Sequence, residues 1–182
     1  MAYIDTHLFS EIETFKKIQF NSEIGHFTNL FETSWLNKNF LQDSVSFARL
    51  RGTIKGFHFQ KKPFDQAKLV SVIQGSILDI FIDIRKGSKT FLDHGSIILK
   101  EGNSNIIYIP RGFAHGYITL EDNTLINYKL DNHYSPDHEE TILYNDPFLA
   151  VEFPDMDGYH LSKKDKNGST IEELKLKSAF DD

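Results

Sequence analysis

Between residues 68 and 130 the chain is cut into apolar runs too short and too closely spaced to be helices. The runs are KLVSVI (68–73), SILDIFIDI (76–84), SIIL (96–99), NIIYI (105–109), AHGYITL (114–120) and TLINYKL (124–130). They are rich in β-branched and aromatic residues and separated by turn signals, which is the pattern of strands. Strands at this spacing predict an all-β antiparallel sandwich or barrel with few helices. KLVSVI, a Gln74-Gly75 turn and SILDIFIDI read as a hairpin. In its second strand Ile77, Asp79, Phe81 and Asp83 alternate with Leu78, Ile80, Ile82 and Ile84, which predicts one apolar face and one carrying carboxylates. The N-terminal third, with FTNLFETSW and FLQDSVSF, reads as two further strands around a short helix, and the segment from Asp155 to the end as a loop followed by a short amphipathic helix. No repeat, low-complexity tract or linker interrupts the chain, so residues 1–182 are expected to form a single domain.

The bulk numbers remove several function classes. Twenty Lys and Arg against 26 Asp and Glu give a net charge of −6, the wrong sign for a general nucleic-acid or membrane-surface binder. A small anionic ligand stays possible where a few cations converge. There is no cysteine, so disulfides, thiolate metal sites and cysteine nucleophiles are excluded. MAYIDTHLFSEIETF shows no basic region followed by an apolar one, and no apolar run is long enough to span a bilayer. A soluble, cytoplasmic protein is expected.

The chemistry-bearing candidates start with two histidines. His58 in GFHFQ and His115 in GFAHGY interrupt strands of apolar and aromatic residues, and a buried imidazole needs hydrogen-bond partners or a task. An isolated strand histidine is most often a satisfied core residue. Lys68 shifts that balance, because a lysine opening a strand of a small β-domain is costly to bury unless its charge is used or paired. Tyr128 and Tyr134 add phenols near the end of the TLINYKL run, with ordinary packing as the alternative reading. His7, His26, His94, His133, His138 and His160 lie in polar or turn-like surroundings that suit a solvated role.

Inward histidines in a β-sandwich raise the question of a cupin, and PRGFAH (110–115) fits the second cupin motif, Pro-x-Gly-x-x-His. The first motif fails: Gln60 follows His58 where a histidine would be needed, and QAKLVSVIQG offers no acid. Two imidazoles without a carboxylate at the expected spacing are a poor transition-metal site. A metal-free, cofactor-free cupin or jelly roll whose histidines move protons is therefore favoured over a metal-dependent oxygenase.

At this level of detail the sequence resembles a known family. The ordered motifs RGTIKGFHFQ, QAKLV, GSILDIFIDIRKGSKTF, YIPRGFAHGY, YKLDNHYSP, YNDP and LSKKD are similar to those of the dTDP-4-dehydrorhamnose 3,5-epimerases, from roughly residue 20 to residue 170. The resemblance implies a cofactor-independent isomerase acting on a nucleotide-diphosphate sugar in deoxysugar or surface-polysaccharide synthesis. It also implies a homodimer whose N-terminal strands cross to the partner. By motif, His58 matches the catalytic base, Asp165 the carboxylate orienting it, Lys68 the active-site lysine and Tyr128 the catalytic acid. His115, Tyr134 and Glu139 match substrate-contacting residues, and Arg51, Lys55, Gln42, Ser44, Asn29 and Lys163 fall at nucleotide- or phosphate-facing positions.

Those roles are chemically coherent. Epimerisation beside a ketone removes a proton from one face, holds the enolate and returns a proton to the other face. A histidine of ordinary pKa ~6.5 suits the first step, a cation suits the oxyanion, with His115 as a possible second donor, and a phenol suits the last step. The chain also departs from the family pattern. Ile24 stands where the family has a phosphate-contacting arginine, Asn29 replaces an acid, Ser44 an asparagine and Lys55 an arginine, while lysines 163 and 164 precede Asp165. Lysine lacks the bidentate fork that suits phosphate, and isoleucine offers nothing. Weak affinity for dTDP ligands is thus expected, with another nucleotide better served around Ser44, Asn29 and Lys163, or with epimerisation at one carbon only. A 3,4-ketoisomerase and a non-catalytic sugar-nucleotide-binding cupin are the alternatives.

Overall fold

The computed structural model describes residues 9–102 and 105–180. His7 lies outside them. Thirteen strands run in chain order: β1 (Glu13–Lys16), β2 (Ile18–Ser22), β3 (Gly25–Asn29), β4 (Gln42–Ala48), β5 (Thr53–Gln60), β6 (Lys68–Gln74), β7 (Ser76–Asp83), β8 (His94–Lys100), β9 (Asn105–Ile109), β10 (Phe113–Thr119), β11 (Thr124–Leu130), β12 (Glu139–Thr141) and β13 (His160–Leu161). Two short helices, α1 (Lys163–Lys166) and α2 (Ile171–Leu176), close the chain.

Two sheets face each other. One has five strands in the order β1-β9-β6-β11-β4; the other has six, in the order β12-β5-β10-β7-β8 with β13 added beside β5. Every pairing is antiparallel except β13 with β5. The inner faces enclose a core built around Val70, Val72, Phe81, Leu99, Phe113 and Ile126. The outer face of the larger sheet is also covered, by the C-terminal segment: Ile142, Ile171, Leu174 and Phe180 pack onto Ile54, Phe57, Phe59, Leu78 and Ile80. Leu36, Phe15, Phe31, Trp35 and Phe40 cover part of the other outer face. This is the all-β sandwich that the sequence predicts.

The hairpin expected at Gln74-Gly75 does not form. β6 pairs with β9 and β11 in one sheet, while β7 pairs with β8 and β10 in the other. Gly75, at φ +78°, is therefore a corner where the chain crosses between layers, and a Cβ there would lie 2.5 Å from the Thr124 hydroxyl. β7 carries its carboxylates on a buried face. It is central in its sheet and all eight of its residues are buried. Asp83 meets Arg85 at 2.7 Å and accepts from Thr90, and Asp79 turns into the site described below. The N-terminal third holds strands β1 to β4, with only a turn at residues 33–35 where a helix was expected. The C-terminal segment holds two helical turns rather than one, each started by a hydroxyl cap, Ser162 and Thr170. His26, His133 and His160 are exposed as expected, whereas His94 and His138 are half-buried.

Candidate active site

A cleft opens between the two sheets at one end of the sandwich. One lobe is lined by Gln42, Ser44 and Ser46 of β4, Lys55 and His58 of β5, Lys68 of β6, His115, Gly116 and Tyr117 of β10, and Tyr128 and Leu130 of β11. A second lobe shares His58, Gln66 and Lys68 and extends past Tyr134 and Glu139 toward Arg85. His58, Lys68, His115 and Tyr128, distant in sequence, thus meet in one space.

A break in the strand register makes this possible. Along β5 and β10, His115 pairs with His58 but Tyr117 pairs with Lys55, so β5 carries an extra residue there. Residues three apart in a regular strand point to opposite faces; the bulge turns Lys55 and His58 into the same cleft. Two glycines allow it. A Cβ on Gly116 would sit 2.6 Å from the Lys55 carbonyl oxygen, and one on Gly56 would sit 2.7 Å from the Gly116 Cα.

His58 is held from both ends. Its Nε2 lies 2.9 Å from Asp165 Oδ1, and its Nδ1 lies 3.0 Å from the Thr141 hydroxyl and 3.6 Å from Glu139 Oε1. Asp165 is buried on α1 and also accepts from the Gly56 backbone N–H, at 3.0 Å, and from the Ser162 hydroxyl. Burial alone would raise its pKa, but His58, Ser162 and Gly56 outweigh burial and hold it at about 2. A carboxylate so firmly ionised can only accept, so His58 Nε2 carries a proton.

Glu139 is similarly fixed. Burial pushes its pKa up, but Lys164 Nζ at 2.5 Å and the Tyr134 hydroxyl at 2.5 Å hold it below the ordinary value. Lys68 opens β6 with its ammonium 3.3 Å from the His58 carbonyl oxygen. Burial drives its pKa down to about 8, with the charges of Asp79 and Glu139 resisting. His115 is buried, its Nε2 2.6 Å from Asp79 Oδ1. Burial lowers its pKa more than Asp79 raises it. Tyr128 stacks edge-on against His115, with ring centroids 6.0 Å apart, and hydrogen bonds to the Tyr117 phenol. Burial pushes the Tyr128 phenol well above its ordinary pKa, so its proton is retained at neutral pH.

The remaining candidates divide. Gln42, Ser44 and Lys55 line the cleft, with Lys55 Nζ bonded to the Ser46 hydroxyl at 2.9 Å. Arg51 does not: it is exposed in the turn before β5, its backbone N–H on Asp122. Asn29 ends the β2–β3 ribbon and bonds Glu32, because that ribbon is a separate two-stranded sheet. Ile24, 99% exposed, occupies the turn of the same ribbon. Lys163 is exposed on the first turn of α1, lining a different depression with Glu140, Lys164 and Ser169.

Asp79, Thr141, Tyr117 and Gln66 were given no role from sequence, and Lys164 was noted only as one of the two lysines before Asp165. Asp79 was visible only as part of a carboxylate-bearing strand face, and its Oδ2 is the one buried side-chain nitrogen or oxygen among the described residues without a hydrogen-bond partner. Thr141 becomes visible only once β12 is registered against β5, which places it opposite His58.

Known proteins share this sequence and fold. Residues 8–173 match the family model described as dTDP-4-dehydrorhamnose 3,5-epimerase. The enzyme of that name from Sinorhizobium fredii is 34% identical over 177 residues, covering 94% of this chain and 91% of its own. The crystal structure of the Bacillus anthracis enzyme of the same name, with TDP and PPi bound, superposes with a TM-score of 0.85 at 37% identity, covering 93% of this chain and 99% of its own. A Legionella pneumophila dTDP-6-deoxy-D-glucose-3,5-epimerase in complex with dTDP-4-keto-L-rhamnose gives a TM-score of 0.85 at 32% identity, covering 92% and 91%. A match across most of both chains, in sequence and in fold, places this protein in the dTDP-4-dehydrorhamnose 3,5-epimerase family.

Proposed function

We propose that this protein is an isomerase that epimerises a nucleotide-diphosphate-linked 4-keto-6-deoxy sugar beside its ketone, without a cofactor. The observation that carries the reading is the pairing of an oriented base, His58 on Asp165, with a protonated phenol, Tyr128, on the walls of one cleft. His58 takes the proton from the carbon next to the carbonyl, the electrons of the broken C–H bond move into the enolate, and Tyr128 returns a proton to the opposite face. Solvent then restores the two groups.

Lys68 supplies the charge for the developing oxyanion. His115 does not suit the donor role expected of it: with its pKa lowered and its Nε2–H on Asp79, neutral His115 has no proton on Nδ1 to donate. Asp79 acts on Lys68 instead, since its charge favours the ammonium form. The sign of the pH effect follows. Lys68 loses its proton as pH rises through about 8, so kcat/KM of the free enzyme should fall on that alkaline side. A Lys68→Met variant should be slow at every pH and lack this limb; a limb surviving in that variant would assign it to another group.

The substrate is inferred from the relatives' names and from the cleft. Of the residues expected to favour another nucleotide, Ser44 lines the cleft, whereas Asn29 and Lys163 lie outside it. What supports a dTDP-linked substrate is the names of the relatives, and Lys55 offers its phosphates a point charge rather than a bidentate clamp. Turnover of dTDP-, UDP-, GDP- and CDP-linked 4-keto-6-deoxyglucose tests the reading: the dTDP sugar should react fastest. No turnover of any of the four would overturn it.

The chain is proposed to fold as one domain and to act as a homodimer. Ile18, Phe20 and Phe27 on the β2–β3 ribbon and Val45 and Phe47 on β4 are exposed, an apolar surface suited to a second copy. No helix among the described residues is long and apolar enough to cross a membrane. A cytoplasmic location fits a phosphate-bearing substrate that does not cross bilayers.

A further inference from the structure

Both nitrogens of His58 are occupied in the ligand-free site, which raises the question of which one takes the substrate's proton. Nε2 is committed, because Asp165 already accepts from Gly56 and Ser162 and needs the Nε2–H as its third donor. A neutral imidazole then has its lone pair on Nδ1. The Thr141 hydroxyl lies 3.0 Å from that atom and can only be donating to it.

Thr141 is placed to do this. It faces His58 across the β12–β5 ladder and is 8% exposed. Its backbone is clamped on both sides: Ser169 N–H donates to the Thr141 carbonyl at 2.8 Å, and Ile142 and Phe57 exchange hydrogen bonds at 2.8 and 3.1 Å. A hydroxyl is the one side-chain group here that can serve both protonation states, donating to a bare nitrogen and accepting from a protonated one. Valine has the same shape and can do neither.

We propose that Thr141 is a positioning residue for the reaction: it holds His58 in the Nε2–H tautomer with Nδ1 as the proton-accepting nitrogen, yields that lone pair to the substrate, and accepts the hydrogen bond from Nδ1–H once the imidazolium has formed. The proposal rests on His58 being the base, but its first test needs no substrate. The charged and titratable groups facing His58 are Asp165 and, through Glu139, Lys164 from α1; Glu139 from β12; Lys68 from β6; and His115, backed by Asp79, from β10 and β7.

Removing the hydroxyl strips neutral Nδ1 of its donor, while Nδ1–H of the imidazolium still faces the Glu139 carboxylate at 3.6 Å. Protonation is therefore favoured, and the acid limb of kcat/KM in Thr141→Val should move to higher pH, with kcat reduced ~10-fold, the scale of one lost hydrogen bond to a charged group. Thr141→Ser, which keeps the hydroxyl, should restore both. Nitrogen-15 spectra of the ligand-free protein should show His58 with Nε2 protonated and Nδ1 bare. An Nδ1–H tautomer would overturn the proposal even if the epimerase reading stands. So would a Thr141→Val variant with an unmoved acid limb, or a Thr141→Ser variant as impaired as Thr141→Val, which would make the role one of packing.

Discussion

Replacing His58 by alanine should slow turnover by ~10²–10⁴-fold, the contribution expected of a general base, or roughly 3 to 5 kcal/mol on the barrier. The fold should survive, since the His58 side chain is 24% exposed and Asp165 keeps its bonds to Gly56 and Ser162. Asp165 is a poor substitute in that variant: a carboxylate that still accepts from the Gly56 amide and the Ser162 hydroxyl is a weaker base than an imidazole. Exchange of substrate protons with solvent should vanish together with turnover. His115 is the nearest alternative, and its ring is tied to Asp79 at 2.6 Å. Unchanged circular dichroism with exchange close to that of the parent would remove His58 from the role.

The sequence makes some of this architecture legible and hides the rest for definite reasons. β9 and β11 fall where apolar runs bounded by turn residues place them, at Asn105–Ile109 and Thr124–Leu130. Local pattern suffices there. It fails at Gln74-Gly75, because two adjacent strands look alike in sequence whether they pair with each other or bend into separate sheets. That choice is made by distant partners, β11 for one and β10 for the other. At Asp79 alternation shows the face but not the partner: a strand buried on both faces can hold a carboxylate if a histidine from the next strand meets it.

His58 and Lys68 attract notice by being polar in apolar runs. Asp165 is different, since it lies 109 residues beyond Gly56, whose amide it accepts, and is legible only through the family motif. The register shift that turns Lys55 and His58 to one face leaves no mark beyond two ordinary glycines. Thr141 has no sequence signal at all; it matters through its place across the ladder from His58.

The central claim is that protons leave and return through different groups on opposed sides of the sugar. Tyr128→Phe in heavy water tests it most directly. The substitution removes one hydroxyl from a ring whose packing against His115 persists, and leaves His58, Asp165 and Lys68 in place. His58 should still form the enolate, but only its own face of the sugar then has a proton to receive. The account predicts that deuterium enters beside the ketone while the configuration is retained, with epimerised product down by ~10²-fold or more, the scale of a lost general acid. Inverted product at close to the parent rate, or loss of exchange together with inversion, would contradict a division of labour between His58 and Tyr128.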